Sequence, residues 1–267
     1  MSPASGISSA SIGSAMPPRP PRGISLLSPL LVLAVWEGLA RLHLIDVRFF
    51  PAPTVILAAG WTTVESGELW TNLKISLVRI GAGFALGALP GAVLGIVMGL
   101  IPWVRLTCMP VVSAIYPIPK SAILPLIMLL FGIGEFAKWV FIAIGVFFPV
   151  LINAMVGVLT IDRIFLDVGR NYGARGLNFL LTIALPGALP VVFAGIKLGF
   201  GLALILVVIA EIVASRAGLG FFIWNAWQIF DVEKLYTGLI VIGILGYVSS
   251  EAIDAVERVV VPWRPRS

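Results

Sequence analysis

The sequence predicts an all-helical protein that crosses a lipid bilayer six times. Three observations carry this reading. Of 267 residues, 59% are hydrophobic and only 12% charged, and the mean hydropathy is +1.06, values foreign to a water-soluble globule. Apolar runs of spanning length recur between Leu26 and Val261, with room for roughly six or seven spans of about 20 residues each. The basic residues fall largely in the segments between these runs. With both termini inside, nine Lys and Arg lie on cytoplasmic segments (Arg19, Arg22, Arg105, Arg163, Arg170, Arg175, Arg258, Arg264, Arg266) and six outside (Arg41, Arg48, Lys74, Lys138, Arg216, Lys234), the asymmetry expected of a multi-pass membrane protein.

Residues 1–23, rich in Ser, Pro and Gly, read as a disordered cytoplasmic tail. Residues 24–72 hold an uncleaved first span, Ile24 to Ala40, and an outer loop with a surface-lying helix, marked by Trp61 and Trp70. The second span, Ile80 to Val104, is free of charge. Its Gly83, Gly87, Gly91, Gly95 and Gly99 recur every fourth residue, a stripe on which another helix packs closely.

The third span follows a turn at Arg105 and is interrupted by Pro110, Pro117, Pro119 and Pro125, so its freed backbone groups require partners in protein or in a wet cavity. Gly132 to Lys138 forms a short outer loop, and Trp139 to Ile161 the fourth span. The fifth runs from Pro186 to Val213, the aromatic loop 214–234 lies outside, and Leu235 to Val261 is the sixth. Residues 73–262 thus form a five-helix core, and 263–267 a cytoplasmic tail.

Between the fourth and fifth spans lies the most informative stretch, residues 162–186. Asp162, Arg163, Asp167, Arg170, Asn171 and Arg175 crowd into a chain otherwise poor in charge. Its arginines place it at the cytoplasmic surface. Gly173 allows a positive-φ turn, and Leu185-Pro186 closes one helix and opens the next. The expected shape is an elbow of helix, glycine, helix and proline, hinged at Leu185-Pro186.

In this stretch the chain resembles the permease subunits of bacterial ATP-binding cassette importers, whose signature is EAA, three residues, Gly, nine residues, then I-x-L-P. Asp167, Val168 and Gly169 stand in the EAA position, followed by Arg170, Gly173, Ala174, Ile183, Leu185 and Pro186. The spacing is intact, while Val168 and Gly169 replace two alanines and weaken the helical start. Tyr116-Pro117-Ile118-Pro119-Lys120, Phe131 to Glu135, Phe147-Phe148-Pro149 with Asn153, and Ala210-Glu211 followed by Gly218-Leu219-Gly220 are similar to the branch serving nitrate, sulfonate, taurine and bicarbonate.

The resemblance implies a type I importer permease fold with a MetI-like core, two copies around a central pathway, and an extracytoplasmic binding protein. It also implies cytoplasmic ATPase subunits docked at the elbow. ATP and Mg belong to that partner, and this chain carries no cofactor. A small anion or zwitterion would be the cargo.

Six residues are candidates for the pathway: Arg79, Tyr116, Lys120, Asn153, Lys197 and Glu211. A charge at mid-span costs about 2.5–3.5 kcal/mol on insertion scales, so it faces protein or water. A cationic lining lowers the barrier for an anion; the alternative is internal pairing, such as Lys197 with Glu211. For Asn153, interhelical hydrogen bonding competes with a role in the pathway.

Other function classes fare worse. None of the five lysines follows glycine, so no P-loop is present and the chain is not itself an ATPase. His43 and Cys108 are the only residues of their kinds, which removes an intrachain disulfide and a Cys/His metal centre. The net charge of +5 is explained by topology, so nucleic acid is not a partner. A self-sufficient secondary transporter or channel is the alternative reading, though no inverted halves or poised carboxylates are visible. An intramembrane enzyme lacks a clustered acid-base set.

Overall fold

The computed structural model describes residues 22–263, with side chains described from Leu27 onward and excepting Arg170. The expected tail at 1–23 lies outside the described residues up to position 21, as do residues 264–267 at the other end. Arg22 and Gly23 already belong to the first helix.

The elements are α1 (Arg22–Arg41), α2 (Pro53–Glu65), α3 (Glu68–Leu100), α4 (Pro102–Ile115), α5 (Lys120–Phe131) and α6 (Glu135–Leu159), then α7 (Arg163–Asn171), α8 (Gly176–Phe179), a π-helical turn at Leu180–Ala184, α9 (Leu185–Ala214), α10 (Leu219–Gln228) and α11 (Val232–Val260). Among the described residues, four helical stretches are long and apolar enough to cross a membrane: Glu68–Leu100, Glu135–Leu159, Gly176–Ala214 and Val232–Val260. The pair α4 and α5, bent by 98° across residues 116–119, makes a fifth when the two are taken as one broken span and not as a re-entrant loop. The chain divides into two units, Met1–Thr54 and Val55–Ser267.

The first unit holds α1, at the place of the expected first span but not among the stretches just named. Near its end Glu37 accepts a hydrogen bond from Arg41 Nε at 2.6 Å and another from the Thr54 amide at 3.0 Å. The carboxylate thereby ties Thr54 to the end of α1.

The second unit is built on three long helices, α3, α6 and α9. Along α3 the glycine stripe faces α6. A Cβ on Gly91 would lie 2.7 Å from the Phe147 carbonyl oxygen, and one on Gly83 2.6 Å from Ile142 Cβ. Any side chain larger than hydrogen would drive the two backbones apart, so these glycines set how near the helices come. Gly195 does the same on α9, against Asn153 of α6, and a Cβ on Gly199 would lie 3.1 Å from Val150 Cγ2. The resulting core contains Ile80, Phe141, Ile142, Val146, Val150, Ala203 and Leu206. Buried on nearly all sides, α6 is the centre of this unit.

Three boundaries differ from the sequence reading. Helix α3 begins at Glu68, twelve residues before the expected start at Ile80, because Asn72, Ser76 and Arg79 do not end the helix but turn toward partners inside the protein. The loop expected to extend to Lys138 is only Gly132 to Gly134, since Glu135 already opens α6. Most consequentially, no break occurs at Leu185-Pro186. The chain runs helically from Gly176 to Ala214. Pro186 has no amide hydrogen and its ring crowds the preceding turn, and the π turn absorbs this: the Leu185 amide reaches back five residues to the Leu180 carbonyl. The expected hinge is a continuous, locally widened helix.

Candidate functional site

The elbow between α6 and α9 is assembled from short-range rules. The Asp162 carboxylate accepts the Ile164 amide at 2.9 Å and so caps α7 at its N-terminus. Helix α7 ends two residues before Gly173, whose φ of 77° lies in the left-handed region where glycine is favoured. The Ala174 amide then returns to the Gly169 carbonyl at 2.9 Å, the 6→1 bond of a Schellman ending. From Arg175 the chain re-enters helix as α8.

This folding presents one face. Phe165, Val168, Gly169 and Tyr172 follow the i, i+3, i+4, i+7 spacing of a helical stripe. Together with Ala174, Ile183, Pro186 and Trp263 they line a groove of about 720 Å³. Tyr172 is 88% exposed and Phe165 65% exposed, so the stripe is not used up by this chain's own core. The departure from two alanines also acquires a reason. A Cβ at Gly169 would run into Ile183 Cδ1, so the missing methyl of residue 169 is the space that the isoleucine occupies. Asp167 is exposed on α7, Arg170 lies on the same helix, and Leu185 and Pro186 open α9.

At the opposite end of the same unit is a buried network of charges. Arg79 of α3 donates from Nη1 to Glu211 Oε1 of α9 at 2.8 Å and to the Ala217 carbonyl at 2.6 Å. Its Nε and Nη2 make a fork to Glu135 at 2.7 Å each, and Lys138 adds a bond to Glu135 at 2.8 Å. Glu211, fully buried, also accepts from Ser76 Oγ at 2.7 Å and from the Gly220 amide at 2.8 Å. The Leu219 amide donates to Ser76 Oγ and the Gly218 amide to Asn72 Oδ1, both at 2.8 Å.

The Gly-Leu-Gly sequence is what admits this carboxylate. Gly218 has φ of 119°, and a Cβ there would strike the Glu211 carboxylate; one on Gly220 would lie 2.5 Å from the Val208 carbonyl. Sequence reasoning singled out Arg79 and Glu211 but missed that they meet, and missed Asn72, Ser76 and Lys138 altogether. A signal was available: Asn72, Ser76 and Arg79 stand at i, i+4 and i+7, one polar face leading into an apolar span.

The profile of the family described as "Binding-protein-dependent transport system inner membrane component" matches residues 91–264, which include the elbow and α6, α9, α10 and α11. The chain belongs to that family. The permease is 32% identical to an aliphatic sulfonates transport permease protein of Bacillus subtilis, covering 90% of this chain and 87% of the relative. It is 33% identical to the taurine transport system permease protein of Escherichia coli, over 90% and 89%, and 31% identical to the riboflavin transport system permease protein of Chloroflexus aurantiacus, over 88% and 87%. It is thus an inner-membrane, multi-pass permease of ATP-binding cassette import, a transport subunit and not itself an enzyme.

The remaining pathway candidates of the permease are dispersed. Lys197 does not meet Glu211; its ammonium pairs with Asp254 of α11 at 2.6 Å. Asn153 hydrogen-bonds within its own helix, to the Pro149 carbonyl at 2.8 Å, and not to another helix. Tyr116 and Lys120 do come together, at the bend between α4 and α5. The Lys120 ammonium donates to the carbonyls of Ile115, Tyr116 and Ile118 at 3.2, 2.8 and 2.9 Å. These are backbone acceptors that the proline-broken span releases, so the lysine supplies the partners that such a break requires in a membrane.

Proposed function

We propose that this permease forms, as a pair of identical chains, the pathway of an importer for a small anion or zwitterion of the sulfonate or taurine type, delivered by an extracytoplasmic binding protein and driven by a separate cytoplasmic ATPase. Both termini face the cytoplasm, and ATP with Mg is held by the ATPase. The observation that carries this reading is the groove of the elbow. Asp167, Val168, Gly169, Gly173, Ala174, Ile183 and Pro186 stand in or beside a surface where an apolar stripe is left open, and an apolar stripe on a surface helix calls for a partner.

The continuous helix from Gly176 to Ala214 bears on how coupling works. A partner that grips α7 and α8 acts on α9 as on a rigid lever, with no loose joint at Pro186. The force enters at the elbow and leaves at Glu211, where α9 is tied to α3 and α6. The names of the relatives support a sulfonate-type cargo, and Lys120 and Tyr116 at the bend are the pathway residues this reading favours.

The test is co-purification of the detergent-solubilised permease with its ATPase, comparing wild type with Phe165→Asp and reading complex formation and ATP hydrolysis. Wild type assembles and hydrolyses; the variant loses assembly while retaining its own fold. If neither form binds an ATPase and wild type alone moves anions in liposomes, a self-sufficient secondary transporter replaces this reading.

A further inference from the structure

Two described lysines face no carboxylate: Lys74, exposed in the second turn of α3, and Lys120, at the bend between α4 and α5. Arg79, Lys138, Lys197 and Lys234 each face a carboxylate. Lys120 faces none among the described residues. Its three backbone carbonyls orient the ammonium and satisfy its hydrogens, but they leave its unit charge uncompensated. An uncompensated charge within a membrane-crossing segment is retained where it meets water or an anion.

The surroundings narrow the choice. The ammonium lies 4.9 Å from the centre of the Phe148 ring and 5.7 Å from that of Tyr116. Phe148 is also a wall of a cavity of about 570 Å³ between α3, α5 and α6, within the size range of ligand sites. Ile115, whose carbonyl holds the lysine, and Ile123, one turn farther along α5, line the same cavity. The other walls, including Leu86, Phe136 and Phe147, bring no charge. A positive charge therefore stands at the rim of an apolar space.

We propose that Lys120 and this cavity bind an amphiphilic organic anion, with its anionic head at the ammonium and its apolar tail against Phe147 and Phe148. An alkyl- or arylsulfonate has this shape. An inorganic anion would leave the cavity unused, and a zwitterion would carry its own ammonium against apolar walls with no partner for it. The proposal rests on the reading of the permease as an importer of small anions or zwitterions and specifies which of them it takes. An anionic lipid shares the head-and-tail chemistry; the soluble anion is favoured because the cation lies at a break inside a crossing segment, away from the ends of the long helices where headgroups lie.

The purified permease in phosphatidylcholine nanodiscs is titrated with ethanesulfonate, 1-hexanesulfonate, sulfate and 1-hexanol, with empty nanodiscs subtracted. Affinity is expected to rise from ethane- to hexanesulfonate by up to about fourfold per methylene, with sulfate and hexanol each at least about tenfold weaker than hexanesulfonate. Lys120→Met loses about tenfold or more for hexanesulfonate and Lys120→Arg restores it. Leu86→Trp, which fills the cavity, removes the gain from chain length, so that hexanesulfonate binds no more tightly than ethanesulfonate. The Lys120→Arg and Leu86→Trp arms keep the test valid even if Lys120→Met fails to fold.

The proposal is overturned if hexanesulfonate binds no better than sulfate, or if Lys120→Arg and Leu86→Trp change affinity no differently from one another. Displacement of hexanesulfonate by phosphatidylglycerol, with uptake by the assembled transporter undisturbed, would make the site a lipid site and also overturn it. Binding that follows Lys120, in an assembled transporter that moves no sulfonate, supports the site and sinks the importer reading. Sulfonate uptake with no dependence on Lys120 or on cavity filling does the reverse.

Discussion

Arg79 and Glu211 meet at 2.8 Å in the interior of the permease, with side chains 5% and 0% exposed, and they join the first long helix of the bundle to the last turn of α9. The pair is part of a balanced set of four charges, Arg79 and Lys138 against Glu135 and Glu211. Each named donor of the guanidinium has an acceptor, which is the condition under which burying charge is tolerable. Gly218, Leu219 and Gly220 donate their amides to Asn72 Oδ1, Ser76 Oγ and Glu211 Oε2, so the start of α10 is fixed by side chains of α3 and α9. The network is a rivet at the end of the bundle opposite the elbow.

Breaking one side of this rivet should cost far more than removing both. Glu211→Ala leaves a buried guanidinium short of a partner, a loss of about 3–5 kcal/mol, read as a marked fall in melting temperature in detergent. Glu211→Ala combined with Arg79→Met should lose less than the two single changes added together, because the orphaned charge is gone. Additive losses would mean that the two residues act independently and that the network does not couple them.

Two glycines of α3, about 15 Å apart along the helix at about 1.5 Å of rise per residue, offer a matched pair of outcomes. Gly91→Leu places a side chain where the Phe147 carbonyl lies and should abolish the folded peak in size-exclusion chromatography. Gly81→Leu has nothing within 4 Å of its new Cβ and should express as wild type. Equal tolerance of both would remove the glycine stripe as the determinant of the approach between α3 and α6.

At the elbow the requirement is conformational. Gly173 holds φ at 77° with open space around it, so the obstacle to substitution is backbone strain alone. Gly173→Asn, which tolerates the left-handed region, should keep ATPase stimulation. Gly173→Val should lose it, at a local cost of about 1–2 kcal/mol or more. Hydrogen exchange at Ala174, whose amide closes the turn on Gly169, reports whether the turn has opened.

Much of this was legible beforehand because periodicity and spacing are local. The glycine stripe, the proline-broken third span and the elbow with its stop at Gly173 were all read from residues that act on their own neighbours. What the sequence hid was long-range pairing. Nothing local says that Arg79 will find Glu135 and Glu211, 56 and 132 positions away, or that Lys197 will choose Asp254 over Glu211. The one local rule that misled was the reading of Leu185-Pro186 as a break. Proline does cost a helix one hydrogen bond, but a single π turn at Leu180–Ala184 absorbs it without ending the helix.

Lys197 and Asp254 provide a way to tell a pair from a pathway. Their 2.6 Å contact joins α9 to α11 with side chains 43% and 31% exposed, and α11 has none of its spanning window buried. If Lys197 serves to hold α11, its charge matters only in relation to Asp254. Lys197→Asp alone sets two carboxylates against each other and should lower the melting temperature; adding Asp254→Lys should restore it, with a coupling of about 0.5–3 kcal/mol. Uptake of a labelled sulfonate by the assembled transporter should recover in parallel. If stability returns but uptake does not, the position of the cation on α9 matters to the cargo itself, and Lys197 belongs to the anion path as well as to the ion pair.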